Sequence, residues 1–197
     1  ETVCFRLFFI APTGSLTDFL TKFVVFSFEY MTRNEYLHTE RFEFEGGGSI
    51  DGLKVVYHTS ENGWRKGDTR KVIWICHALT ANSDAEDWWP ELVGKGKFFD
   101  TEKYFVICVN MLGSSYGSSG PASVNPETGK PFYFDFPLVT VRDIVRANIL
   151  VRKHLGIDSI DLMVGGSIGG FQSVEWAAME PETIRNLVLI ACSCRTT

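Results

Sequence analysis

Three observations predict an α/β chain, with a mostly parallel sheet flanked by helices. Continuous apolar runs, which suit strands covered on both faces, occur at residues 72–76 and 104–109, and further apolar runs at 160–164, interrupted by Asp161, and 187–191. Segments between these runs repeat apolar residues at helical spacing. Finally, Gly165-Gly166-Ser167-Ile168-Gly169-Gly170 joins the run 160–164 to a helical pattern over 171–180, a G-x-S-x-G sequence between strand and helix.

Taken in order, residues 1–30 hold nearly half of the phenylalanines and no methionine, and the composition changes abruptly at Met31. The run Phe8-Phe9-Ile10 is broken by Pro12 and Gly14, and a second run covers 23–28. Both are far short of the ~20 apolar residues that span a bilayer, and the pattern makes a poor signal peptide. The segment reads as an upstream extension outside the fold, with a peripheral strand or helix as the alternative. Residues 41–45 and 53–58 alternate like two strands of a hairpin around Gly46-Gly47-Gly48-Ser49. After strand 72–76, a helix-like stretch lies around 90–94, followed by strand 104–109. The loop 110–138 is rich in Gly, Ser, Pro and Asn, and is ordered by its own packing and by the site it borders. Thr140-x-x-Asp143 resembles a capping box, and Val141, Ile144, Val145, Ile149, Val151 and Leu155 recur at helical spacing until Gly156 supplies a stop. Beyond the serine turn, Phe171, Val174, Ala177 and Ala178 mark a helix ending at Pro181, and 187–191 is one more strand. Ligands of such a sheet bind at the strands' carboxyl ends, which puts the chemistry after Cys76, Val109 and Val164.

The 197 residues carry a net charge of −5 and 45% hydrophobic residues, which fits one well-buried domain. Without a basic cluster, nucleic acid and anionic membrane are poor partners, and a small molecule is the expected ligand. The five cysteines are odd in number, and Cys76 and Cys108 lie in apolar runs as reduced thiols, which suits the cytoplasm. Cys192-x-Cys194 has no second cysteine or histidine group at zinc-site spacing, so no metal site is expected.

The glycine-flanked serine reads as a nucleophile elbow. A serine on a very sharp turn adopts a strained backbone, and side chains two positions either side would collide, so Gly165 and Gly169 stand there. The turn lifts the Ser167 hydroxyl above the sheet edge and lets the Ile168 amide, at the start of the helix, face a developing oxyanion. His77-Ala78-Leu79-Thr80 follows strand 72–76, where a second oxyanion donor belongs, most plausibly the Leu79 amide. His77 itself reads as a turn-stabilising residue rather than a general base, and Trp88-Trp89 as packing. The loop from Asn110 to Pro121 borders the acyl or acceptor pocket or is structural. It is a poor phosphate cradle, because no G-K-[ST] follows its glycines.

With these features in place, the chain resembles the homoserine O-acetyltransferase family of the α/β-hydrolase fold. The matching residues run from about Phe42 to Arg195. They include His77-Ala78-Leu79-Thr80, Asn110-x-Leu112-Gly113 with Gly117-Ser118-x-Gly120-Pro121, Asn125-Pro126, Thr128-Gly129-Lys130-Pro131, Asp135-Phe136-Pro137, Arg142-Asp143, the elbow, and Glu175-Trp176-Ala177. The resemblance implies that Ser167 takes an acetyl group from acetyl-CoA and passes it to the hydroxyl of L-homoserine, a step towards methionine. Acetyl-CoA is then a substrate, no cofactor stays bound, and the full-length protein is a candidate homodimer. Succinyl-CoA as donor or serine as acceptor occurs among close relatives. The family places its catalytic acid and histidine after the serine, whereas His38, His58, His77 and His154 all precede Ser167. Residues 31–197 therefore read as the amino-terminal part of the catalytic domain, ending after the strand that follows the nucleophile helix. The triad Asp and His are expected outside it, and the chain by itself is expected to be inactive. An ester or thioester hydrolase and a non-catalytic truncated product are the alternatives.

Overall fold

The computed structural model describes residues 31–61 and 63–193. The proposed extension 1–30 and Cys194 lie outside the described residues.

The described residues form eight strands and three α-helices, alternating from β5 onward: β1 (Thr32–His38), β2 (Phe42–Glu43), β3 (Ser49–Ile50), β4 (Leu53–Thr59), β5 (Lys71–Cys76), α1 (Ala85–Trp88), β6 (Tyr104–Val109), α2 (Val141–Leu155), β7 (Leu162–Gly166), α3 (Ile168–Met179) and β8 (Leu187–Ile190). Six strands form one sheet in the order β1-β4-β6-β5-β7-β8, and β2 pairs with β3 alone. The strands β6, β5, β7 and β8 are mutually parallel, while β4 runs antiparallel to both β1 and β6.

From Val72 onward, each β5 side chain is claimed by one of two cores. Val72 and Trp74, with Phe105, Ile107 and Met163, pack under α2 and α3 through Ile144, Val145, Val151 and Trp176. Trp74 and Trp176 meet edge to face at 5.0 Å. Ile73 and Ile75, with Val106, Cys108 and Val164, pack on the opposite face against Ala85, Val93 and Phe99. This two-sided burial is why the central strands read as nearly continuous apolar runs. It also keeps Cys76 and Cys108 free thiols, and burial pushes the Cys76 thiol up to about 12.

Two expectations need correction. The hairpin partner of β4 is β1, in the register Thr32↔Thr59 to His38↔Leu53, and not residues 41–45, of which Phe42 and Glu43 pair with Ser49 and Ile50. Both candidate segments alternate, and alternation shows which residues face the core without naming the neighbouring strand. The helical turn expected around 90–94 is displaced to α1, four residues long, because Trp89 N–H closes onto Ala85 C=O and Pro90 follows.

The helix α2 matches its sequence signals. Thr140 and Asp143 form a reciprocal capping box, and Gly156 closes the helix in the left-handed conformation at φ 68°.

Candidate functional site

The chain leaves β5 towards β6 and leaves β7 towards β8, on opposite sides, so the crevice between the carboxyl ends of β5 and β7 is a topological switch point. Cys76 is in register with Gly165, which brings the loop after β5 beside the turn after β7. The His77–Thr80 loop and the serine elbow, 90 residues apart in sequence, converge there.

Ser167 is exposed at the tip of that turn, with φ 54° and ψ −122°. The positive φ is uncommon for a residue with a side chain, and this ψ lies outside even the left-handed helical well, a strain of about 1–3 kcal/mol. The surroundings hold the strain in place. Ser167 N–H donates to Ile190 C=O at 2.9 Å, and Gly170 N–H donates back to Ser167 C=O at 2.9 Å.

The flanking glycines are required by contact. A methyl on Gly165 would overlap the Gly169 carbonyl and the Ser173 hydroxyl, and one on Gly169 would overlap the Cys76 carbonyl and stand 2.9 Å from the His77 oxygen. The first turn of α3 thus packs backbone to backbone on the end of β5. Ile168 opens that helix, where N–H groups have no intrahelical acceptor and the positive end of the helix dipole lies.

On the other side of the crevice, Ala81 N–H closes a turn onto Ala78 C=O at 3.0 Å, with Leu79 second in the turn. His77 is fully buried beneath it. Its Nε2 accepts Met111 N–H at 3.2 Å, so its proton sits on Nδ1, which donates to Ala78 C=O at 2.8 Å. Burial holds its basicity below the ordinary histidine value. Both nitrogens are committed, so His77 stabilises the turn and is not available as a base. Because the peptide is planar and trans, fixing the Ala78 carbonyl also fixes the direction of the Leu79 N–H.

The remaining histidines are engaged elsewhere. His58 Nδ1 meets Ser83 Oγ at 2.7 Å, His38 Nδ1 meets the Tyr36 hydroxyl at 3.3 Å, and His154 stacks on Tyr36 with ring centroids 4.6 Å apart. Trp88 and Trp89 stack on each other at 4.9 Å and pack against the core, with Trp88 Nε1 donating to Asn82 C=O. Cys192, the described half of the Cys-x-Cys pair, is a free thiol close against Gly170.

Sequence reasoning left the serines of the 110–121 loop undecided, and the structure gives two of them backbone partners. Before Tyr57, β4 has no β6 residue to pair with, and Ser118 Oγ and Ser119 Oγ accept the Val56 and Lys54 N–H groups at 3.0 and 2.9 Å. Asn110 was named from sequence only as part of a matching motif and given no role, yet its side chain links this loop to the one after β5. Its Oδ1 accepts Ser83 N–H at 2.7 Å, and its Nδ2 donates to Tyr116 C=O at 3.0 Å. The signals were that motif and its position at the carboxyl end of a strand.

A strained, exposed serine at the start of a helix, in a turn beside the loop after β5, suits attack on a carbonyl carbon. A family model described as the alpha/beta hydrolase fold matches residues 71–195. The homoserine O-acetyltransferase of Trichormus variabilis is 45% identical over 168 residues, covering 83% of this chain and 45% of that protein. The crystal structure of homoserine O-acetyltransferase from Staphylococcus aureus superposes with a TM-score of 0.69 at 30% identity, over 84% of this chain and 48% of that one. An acetylester hydrolase from Corynebacterium glutamicum superposes with a TM-score of 0.72 at 28% identity, over 84% and 46%. The chain spans just under half the length of the curated relatives it matches.

Proposed function

The chain belongs to the α/β-hydrolase fold family, and from that membership we propose that it is the serine-bearing part of an acyltransferase that moves an acetyl group from acetyl-CoA to the hydroxyl of L-homoserine, a step towards methionine. The observation that carries the reading is the backbone of Ser167, held at φ 54° and ψ −122° between two glycines that cannot bear a side chain. The names of the similar proteins support the acceptor.

In this reading Ser167 Oγ attacks the thioester carbonyl, and the Ile168 and Leu79 amides receive the negative charge that develops on its oxygen. The C–S bond breaks, CoA leaves as the thiol, and the acetyl group remains on Ser167. The homoserine hydroxyl then attacks the acyl-serine and regenerates the enzyme. A serine hydroxyl is a weak nucleophile without a base. Among the described residues no histidine is hydrogen-bonded to Ser167, so the base and its carboxylate partner are assigned to residues outside these 197. The protein so completed works in the cytoplasm, as a homodimer, with no bound cofactor. Among the described residues no helix is long and apolar enough to cross a membrane.

The second reading is ester hydrolysis by the same serine, favoured by the acetylester hydrolase likeness. One experiment on a chain of the relatives' full length separates the two. Acetyl-CoA is expected to label Ser167 by 42 Da (the acetyl increment, roughly, by mass spectrometry), the label is lost in Ser167→Ala, and CoA release rises sharply on adding homoserine. Release at the same rate without homoserine overturns the transferase reading, and a label on another residue overturns the nucleophile.

A further inference from the structure

The Leu79 side chain is 67% exposed, so its own packing does not hold the turn that carries its amide. Hydrogen bonds on its two sides do. On one side His77 Nδ1–H and Ala81 N–H both donate to the Ala78 carbonyl. On the other, the Tyr116 hydroxyl donates to the Thr80 carbonyl at 3.2 Å. Tyr116 is anchored in turn through its own carbonyl, which accepts the Asn110 amide, and Asn110 is 2% exposed with its other amide atom on Ser83. The loop after β6 therefore grips the loop after β5 at His77, through Met111 N–H, at Thr80 and at Ser83, with Leu79 between the first two.

We infer that Tyr116 is a positioning residue for acylation, acting through the Thr80 carbonyl to hold the Leu79 amide towards the developing oxyanion, an inference that rests on the oxyanion role proposed above. The chemistry favours a role in alignment over one in stability. The Thr80 carbonyl is exposed and finds water when the phenol is removed, so the net loss of folding free energy is small. An oxyanion donor contributes to the rate only to the extent that it is aligned before the charge forms. Removing the hydroxyl leaves the same fold with a looser turn.

The test uses a chain of the relatives' full length with p-nitrophenyl acetate, following p-nitrophenolate release as Ser167 is acetylated. Tyr116→Phe keeps the ring, which is 43% exposed, so the variant folds. It is expected to lower the acylation rate constant roughly five- to tenfold while leaving the half-saturating ester concentration and the urea midpoint unchanged. The Leu79 and Thr80 amides are expected to exchange hydrogen faster in the variant. An acylation rate equal to the parent's overturns the inference, as does a slowing accompanied by a matching loss of stability. Ser167→Ala distinguishes the two levels of argument. If it still releases p-nitrophenolate in a burst, the reading of the site fails. If it abolishes the burst while Tyr116→Phe behaves as the parent, only the role of Tyr116 fails.

Discussion

Gly169 shows how narrow the residue-scale tolerance is at the elbow. As a helical glycine it costs α3 about 1 kcal/mol relative to alanine, so Gly169→Ala would stabilise the helix if it stood alone. Here the added methyl meets the Cys76 carbonyl, part of a central strand that cannot move aside. The overlap wins, and Gly169→Ala is expected to cost about 3 kcal/mol or more of stability in a urea titration. A variant as stable as the parent would show that α3 is not seated on β5. His58 supplies the pH dependence at this scale. It is half-buried on β4 between Ser83, Arg33 across the β1 pairing and Cys108 across the β6 pairing. Burial first, and then the Arg33 charge, pushes its pKa down to about 4. The ordinary value applies in the unfolded chain, so the fold favours neutral imidazole and protonation favours unfolding. The stability is fully present above about pH 6.5 and is lost as the pH falls through about 4. Comparing urea midpoints across that range, His58→Gln is expected to give a flatter profile than the parent.

At the element scale, α2 was predictable because its start and stop are written locally. Thr140 and Asp143 cap one end and Gly156 the other. Asp143 also has a role that local sequence does not announce: its fully buried carboxylate accepts Glu45 N–H at 3.0 Å, tying the turn between β2 and β3 to the helix. Thr140→Ala, which removes half of the capping box, is expected to cost about 1 kcal/mol. Asp143→Ala also strands the Glu45 amide and is expected to cost about 2–4 kcal/mol. Chemical denaturation of the two variants checks the order, and equal losses would mean that the Glu45 contact contributes nothing. The pairing of β4 shows the opposite case. Its alternation was plain, but its partners, β1 on one side and the Ser118 and Ser119 hydroxyls beyond β6 on the other, come from segments whose sequence does not name them.

At the scale of the whole molecule, β8 stands at the end of the sheet among the described residues. Its residues Leu187, Val188, Leu189 and Ile190 are 37–44% exposed, whereas the four strands in the middle of the sheet are largely buried. An apolar strand with one unpaired edge is a template for another strand. The 197-residue chain is therefore expected to self-associate with rising concentration, and Val188→Lys to shift it towards the monomer without lowering its urea midpoint. Sedimentation velocity over a range of concentrations measures this. A monomer at every concentration would mean that the edge is protected.

The sequence alone determined the parallel sheet, the capped helix and the serine elbow, because each depends on interactions within a few residues: apolar continuity, a capping box, and glycines where side chains would collide. It also indicated which loops carry the site, since ligands gather at the carboxyl ends of parallel strands. Only the tertiary structure decided what Asn110 and Tyr116 do and which partners hold His77, whose turn-stabilising role the sequence had indicated. Their partners lie between 1 and 36 residues away, and side-chain hydrogen bonds between loops follow from where the strands bring those loops. Gly169 stands at the border of the two. Its place in the motif is local, but the carbonyl that excludes a side chain there belongs to Cys76, which the pairing of β5 with β7 brings against it.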